Sequence, residues 1–427
     1  MSDQENQTKL ETIQAAESKL IVQTYQRTPL LFVGGQGVYL RDERGDEYLD
    51  LLSGIGVSAL GYAHPLIEAT IAAQSKKLLH TSNLYYHEHT AELALRLTEI
   101  SGMDRVFFCN SGTEAWEAAL KLARAHAGVL RSEGKKVGTK ILAVEQSFHG
   151  RTIGAVSTTY KEKYRESFAP VMPGVEFVRF DDVDDLRAKF SNDVCAICIE
   201  AVQGEGGVRP MSKQFFTAAR ELCNSTGALL LADEIQAGLG RTGEWFAYQH
   251  YGVQPDVTTL AKPIANGLPM GVMMCSEEAA RAFTPGMHGT TFGGGPLVCA
   301  VAIAVINTIK QTNLLPHVRE VGGYFKQRLE WLRTQHDCIT AVRGLGLMLG
   351  IEIDSEELAK NAASEMLKQH IIVNRTSETV LRFLPPYILQ RAHVDTTIAA
   401  LDQVLSNLTS SGAALAGAAS TGEDAHG

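Results

Sequence analysis

The chain has 427 residues, 45% hydrophobic and 20% charged, with a formal net charge of −9, long enough for one large and one smaller domain around a sizeable core. An acidic balance with no Lys/Arg-rich block argues against a nucleic-acid binder, and no apolar run reaches the length of a membrane span. The start Met1-Ser2-Asp3-Gln4-Glu5-Asn6 lacks the cationic and apolar segments of a secretory signal, and the seven cysteines lie scattered through apolar stretches, which suits reduced thiols in a cytoplasmic protein.

Residues 1–17 are polar and expected to be frayed. Val38-Tyr39-Leu40 and 47–52 flank Asp42-Glu43-Arg44-Gly45-Asp46 as a hairpin. Ser53-Gly54-Ile55-Gly56-Val57 reads as a flexible loop able to approach a ligand closely. Helical patterns follow at about 65–79 and 90–100. An α/β alternation then begins. Strands are expected at 105–110, 141–146, 175–180, 194–202, 228–234, 257–261 and 271–275, with helical stretches between most of them. The first of these helices carries Trp116, Ala119, Leu120 and Ala123 on one face. Such alternation predicts a mainly parallel sheet with helices on both faces. A helix at about 296–309 leads into a smaller α+β domain, with a helix near 324–335 and strands at 347–353 and 380–383; the early hairpin is expected to join it. From Thr409 the composition is Ala, Ser, Gly and Thr without apolar period, and this tail reads as disordered.

Two runs in the sheet carry chemistry. One, 228–232, ends in Asp233 and Glu234; the other, 257–261, delivers Lys262. Runs buried on both faces present such residues at their carboxyl ends, where ligands of open α/β sheets bind. A lysine in apolar surroundings tends to lose its proton, and the neutral amine can form a Schiff base with a carbonyl. Pyridoxal phosphate wants such a lysine and an acid for its pyridinium nitrogen. The bland alternative is a helix-capping Asp233 and a solvated Lys262.

Around them, Asn110-Ser111-Gly112-Thr113-Glu114 sets a glycine turn before a helix, which suits a phosphate or a plain N-cap. Phe148-His149-Gly150-Arg151-Thr152 offers an aromatic for ring stacking and an arginine for a carboxylate. Glu205, in Gln203-Gly204-Glu205-Gly206-Gly207, adds an acid, and Arg382 a second carboxylate clamp. Gly238-Leu239-Gly240-Arg241-Thr242-Gly243 matches the dinucleotide fingerprint and supports a rival, a nicotinamide-dependent oxidoreductase. It lies past the chain midpoint, behind two acids, with no apolar helix after it. Cys195-Ala196-Ile197-Cys198 sits inside an apolar strand without a second ligand pair, and His87-Glu88-His89 lacks the helical spacing of a zinc motif, so no metal site is expected. A non-enzymatic binding module is the third class.

Ser111-Gly112-Thr113-Glu114-Ala115, Phe148-His149-Gly150-Arg151-Thr152, Gln203-Gly204-Glu205-Gly206-Gly207, Asp233-Glu234-Ile235-Gln236, Gly240-Arg241-Thr242-Gly243, Leu260-Ala261-Lys262 and His288-Gly289-Thr290-Thr291-Phe292-Gly293-Gly294 occur in this order. The chain thereby resembles the class III pyridoxal-phosphate-dependent ω-aminotransferases over about residues 20–405. The resemblance implies an aspartate-aminotransferase-like α/β architecture, fold type I. Its large domain would span 76–304, its small domain 18–75 and 305–408, and 1–17 and 409–427 would be disordered tails. It implies amino transfer from N2-acetyl-L-ornithine to 2-oxoglutarate, with succinyl-diaminopimelate, 4-aminobutyrate or ornithine as alternative donors. By the same resemblance Lys262 carries the cofactor and moves the proton, while Asp233 faces the ring nitrogen. Phe148 and Ile235 flank the ring and Gln236 lies near its hydroxyl. Ser111, Gly112 and Thr113 cup the phosphate, and Thr291 reaches the phosphate of a neighbouring subunit, so a homodimer is implied. Arg151, Arg382, Glu205, Ile55, Ser82, Asn83, Tyr25 and Arg27 fall to the substrates. In that light 238–243 is a structural turn. Pro263, Gly295, Ser58 and Tyr62-Ala63-His64 depart from the family's usual letters.

Overall fold

The computed structural model describes residues 8–420, with side chains to residue 410. Its centre is a seven-stranded sheet in the order Arg105–Cys109, Gly271–Cys275, Val257–Leu260, Leu229–Asp233, Val194–Glu200, Lys140–Val144, Val175–Val178. Every strand is one the apolar runs predicted. All are parallel except Gly271–Cys275, which runs antiparallel to both neighbours. The inner strands are buried along their whole length, as expected of a sheet covered on both faces. Cys195 and Cys198 are core residues of one of them.

The helix Gly112–Ser132 packs on this sheet through Trp116, Ala119, Leu120 and Ala123, all buried. Trp116 is fully buried, and its indole N–H donates to Thr158 Oγ1 at 2.9 Å. Ser111 caps the helix, accepting from Glu114 N at 3.2 Å.

Chain beyond the sheet forms three smaller ones, of which Val202–Gln203 with Arg209–Pro210 is only two-stranded. The early hairpin, Phe32–Gln36, Tyr39–Asp42 and Glu47–Asp50, takes Ile371–Ile372 from late in the chain as its fourth strand. Ile339–Leu345, Met348–Ile353, Val380–Phe383 and Asn374–Thr376 form an antiparallel sheet. The helix before it runs Leu314–Gln335, longer at its start than predicted, because Gly322 and Gly323 break the apolar pattern there; Gly322 lets the helix backbone meet Gly346.

The glycine-rich stretch 238–243 is a turn. Arg241 is fully buried in it, donating to Leu347 O at 3.0 Å and Pro385 O at 2.5 Å, with its guanidinium 4.6 Å from the centre of the Tyr387 ring. Only the short 3-10 helix Ala247–Tyr251 follows, so the dinucleotide letters lack the helix that would receive a pyrophosphate.

Both predicted tails are corrected where they are described. The helix Lys9–Leu20 replaces frayed chain: Thr8 Oγ1 accepts from Glu11 N and Glu11 Oε2 from Thr8 N, a closed capping box, although no residue of the helix is buried. The helix Arg391–Ser420 continues past residue 409, where an alanine-rich composition favours it. The rest of the tail predictions, 1–7 and 421–427, lies outside the described residues. Trp116→Ala is expected to lower the unfolding free energy by about 3–5 kcal/mol, the usual cost of truncating a buried aromatic, as measured by the shift in denaturant midpoint.

Candidate active site

The carboxyl edge of the sheet supplies the site. Glu200 and Asp233 are register partners at the ends of adjacent strands. Lys262 follows the strand Val257–Leu260, with its backbone at φ 35, in the left-handed region a side chain rarely adopts. These residues line one cavity of about 380 Å³ together with Asn110, Ser111, Gly112, Thr113, Phe148, His149, Glu205, Ile235 and Gln236.

Asp233 is buried and fully engaged. Its Oδ1 accepts from Ile235 N at 3.1 Å and from Thr259 Oγ1 at 3.2 Å, and its Oδ2 lies 2.7 Å from His149 Nδ1. His149 is stacked on Trp116, ring centres 4.1 Å apart and planes within 7°. Trp116 thus joins the core helix to the carboxylate through one imidazole. Burial, and then the Arg382 charge, push the Lys262 amine down to about 8, against the pull of Glu205, Asp233 and Glu200.

At the cavity wall, the first turn of the helix Gly112–Ser132 offers unpaired N–H groups and the positive end of its dipole. Gly112 is needed there: a Cβ would lie 2.9 Å from Ile235 Cδ1. Thr113 Oγ1 shares a hydrogen bond with Thr152 Oγ1 at 2.8 Å.

A buried guanidinium closes the remaining side. Arg382 Nη1 donates to Glu205 Oε1 at 2.5 Å and to Gln236 Oε1 at 3.0 Å, and its Nε donates to Asn374 Oδ1 at 2.9 Å. Burial would raise the Glu205 carboxyl, but Arg382 first, then Lys262, outweigh it and hold the group below the usual carboxylate range.

A reactive amine, a buried acid, an apolar pair of walls (Phe148 and Ile235) and an anion-binding helix start share this one cavity. That donor set fits an aldehyde-bearing pyridine with a phosphate arm: Lys262 for the aldehyde, Asp233 for the ring nitrogen, and the amides at 111–113 for the phosphate.

Comparison with known sequences is decisive for the family. The family described as aminotransferase class-III matches residues 21–405. The chain belongs to the class-III aminotransferases. Among curated relatives, the acetylornithine aminotransferase of Methanocaldococcus jannaschii is 43% identical over 92% of this chain and 97% of its own, and that of Aquifex aeolicus 44% identical over 90% and 99%. Among solved structures, the ornithine aminotransferase of Toxoplasma gondii ME49 superposes with a TM-score of 0.89 at 30% identity, over 95% of this chain and 97% of that one. The acetylornithine aminotransferase of Elizabethkingia anophelis gives 0.82 at 28%, over 94% and 100%.

The class-III motifs divide by location. Ser111, Gly112, Thr113, Phe148, Glu205, Asp233, Ile235, Gln236 and Lys262 converge on the cavity, and Arg382 backs it through Glu205 and Gln236. Arg151 stands beside it, its guanidinium 5.6 Å from the Phe148 ring centre and 3.9 Å from that of Tyr164. Thr291, Asn83, Ser82, Tyr25 and Arg27 do not line it. Asn83 Nδ2 instead donates to Thr290 O and Gly293 O, and Tyr25 is 74% exposed. Ile55 does not line the cavity either. It lies in a turn where Ser53, Gly54, Ile55 and Gly56 all have positive φ, and the residue that turn delivers to the cavity is Val57. The turn is fastened by Asp50, whose oxygens accept from Leu52 N, Ser53 N and the Tyr62 hydroxyl, the last at 2.5 Å. The departure Tyr62 is therefore a hydrogen-bond donor to that acid.

Sequence reasoning passed over His149 and Glu200. His149 lies inside a quoted motif whose phenylalanine and arginine took the attention. Glu200 had only one signal, an acid ending an apolar strand, the same signal that marked Asp233. The protein is expected to capture pyridoxal phosphate faster as pH rises, through a midpoint near about 8 set by Lys262. Absorbance stopped-flow checks this, and a midpoint near the ordinary lysine value would contradict it.

Proposed function

We propose that this chain is a pyridoxal-phosphate-dependent ω-aminotransferase that converts N2-acetyl-L-ornithine and 2-oxoglutarate to N-acetyl-L-glutamate 5-semialdehyde and L-glutamate, a step of arginine biosynthesis. The observation that carries a two-substrate reaction is the closed Arg382–Glu205 pair beside Lys262. The donor is supported by curated acetylornithine aminotransferases that are 40–44% identical to this chain.

When bound, the cofactor would supply an electron sink for the electron pair left when the substrate's amine-bearing carbon gives up its proton. The chain's residues do the rest. Lys262, which gives up its proton more readily than an ordinary lysine, holds the cofactor and carries the proton between carbon atoms. Asp233, oriented by His149, Thr259 and the Ile235 amide, keeps the ring nitrogen protonated. Phe148 and Ile235 hold the ring between them, and Gln236 meets its hydroxyl. Ser111, Gly112 and Thr113 bind the phosphate.

Arg382 takes the α-carboxylate of glutamate. When the ω-amine enters, with no carboxylate next to the reacting carbon, Glu205 covers the guanidinium, since an unpaired buried charge is costly. Arg151 takes the far carboxylate; Ile55, Asn83 and Tyr25 border the substrate path. We further infer a division into a large domain, 76–304, and a small one, 18–75 with 305–408.

The same reading makes the protein a cytoplasmic homodimer whose sites are shared through Thr291. The exposed apolar residues Leu79, Leu84, Tyr85, Tyr86 and Phe292 support it. They lie close to one another, since Asn83 bonds the 290–293 backbone and the His80 and Phe292 ring centres are 5.3 Å apart, and a monomer rarely leaves so much apolar surface in one place. Sedimentation is expected to give a dimer. Thr291→Ala should weaken cofactor retention without dissociating it.

Ornithine is the second donor to consider, because solved ornithine aminotransferases superpose with TM-scores of 0.89 and 0.90. Comparing kcat/KM for acetylornithine and ornithine decides between them. Lys262→Ala is expected to abolish turnover and to leave a protein that still binds the cofactor but to which borohydride no longer fixes it covalently. Arg382→Ala should slow the glutamate half-reaction roughly a hundredfold, consistent with loss of a charge-assisted pair, and the acetylornithine half-reaction far less. Equal losses in single-turnover spectra would reject the alternation of Glu205 and carboxylate on Arg382.

A further inference from the structure

Glu200 is buried at the cavity edge, one strand from Asp233, and the reaction described above gives it no task. Its two oxygens are committed to two different loops. Oε1 accepts from Phe148 N at 2.9 Å, in the loop that bears the ring-stacking aromatic. Oε2 accepts from Gly204 N at 3.1 Å, in the loop that bears Glu205.

The second contact matters for the gate. Gly204 is pressed against Gln236, so closely that a Cβ would lie 2.2 Å from Gln236 Oε1, the atom that accepts from Arg382. On its other side, the Glu205 carbonyl accepts from Ser377 Oγ at 2.7 Å and Thr376 Oγ1 at 3.2 Å. The backbone at Glu205 is therefore pinned from both directions. With the backbone fixed, uncovering Arg382 needs only a rotation of the Glu205 side chain, and covering it again returns the carboxylate to the same place. If Gly204 were released, its N–H would lose the bond that holds the backbone just before Glu205, leaving Gln203 Nε2 on Glu145 O on one side and Ser377 and Thr376 on the other, and Glu205 would meet Arg382 less often.

We propose that Glu200 is a positioning residue for substrate alternation, anchoring the 203–207 loop at Gly204 so that Glu205 can cover Arg382 when the ω-amine substrate is bound. The inference rests on the functional reading above and adds to it the group that sets the balance between the two half-reactions. Because Glu205 is needed to neutralise Arg382 only for the ω-amine, loss of the anchor should penalise that half-reaction and largely spare the glutamate one.

The test uses the holoenzyme and single-turnover half-reactions with acetylornithine and with glutamate. Glu200→Gln keeps the shape but turns an NH₂ donor toward one of the two amides. It is expected to lower the ratio of the acetylornithine to the glutamate specificity constant by about tenfold, the size of one lost hydrogen bond to a charged group. In a Glu205→Gln background, where the gate is already disabled, adding Glu200→Gln should leave the ratio unchanged. Should Glu200→Gln fail to fold, Glu200→Asp keeps the charge one methylene short and is read in the same two backgrounds. A ratio unaffected while both half-reactions slow alike, or a fall of equal size in both backgrounds, would mark a structural role and overturn the proposal. A wild-type protein that turns over no ω-amine would instead bring down the functional reading itself, before any variant is made.

Discussion

Lowering the proton affinity of one amine at the edge of a buried sheet is the constraint on which the rest of the site depends. Lys262 has a lowered proton affinity because burial removes water from it and because Arg382 repels its proton. Asp233, Glu200 and Glu205 pull the other way. Each is occupied: Asp233 by His149, Thr259 and a backbone amide; Glu200 by two amides; Glu205 by Arg382. Acids that look like a cluster are held apart, each by its own hydrogen-bond partners, and the amine lies among them.

This arrangement links packing to chemistry by short routes. The Trp116 indole, fixed by Thr158, stacks on His149, which orients Asp233. The core of the helix Gly112–Ser132 thus sets the position of an acid on a neighbouring strand, while the first turn of the same helix faces the cavity. One rigid element provides both the anion-binding end and the support for the acid, which keeps their spacing constant. The burial of Glu200, with its carboxyl pushed up to about 7, foremost by desolvation and despite the nearby His149, is tolerated because both oxygens meet N–H groups.

Much of this was legible in the letters. The central strands announced themselves as short apolar runs, since a strand covered on both faces has no polar positions to spare. The reversed direction of Gly271–Cys275 was not legible, because run length carries no sign of polarity. Asp233 and Lys262 stood out because they interrupt apolar runs at the strand ends, and Glu200 was missed despite doing the same, since Ala201-Val202 continues the run past it. His149 needed a neighbour, Trp116, that is remote in sequence. That Val57 and not Ile55 lines the cavity was not legible either: successive positive φ values turn that segment, and a turn of that hand leaves little trace in residue type beyond its two glycines. Residues assigned to the substrate by resemblance lie mostly on the surface of the single chain, where spacing along the sequence says least about proximity.

Arg241 shows what a match of letters is worth. Its glycines make space: a Cβ on Gly240 would meet Leu315 and Tyr387, and one on Gly243 would meet Arg319. Its guanidinium hydrogen-bonds main-chain carbonyls at 347 and 385, with an aromatic ring alongside, and has no acidic partner among the described residues. A salt bridge can be inherited in swapped form, acid for base and base for acid. A cation held by main-chain carbonyls has no such exchange open to it, so a lineage that loses this arginine recovers the joint between the 238–243 turn and the late strands by reversion or by rebuilding the turn.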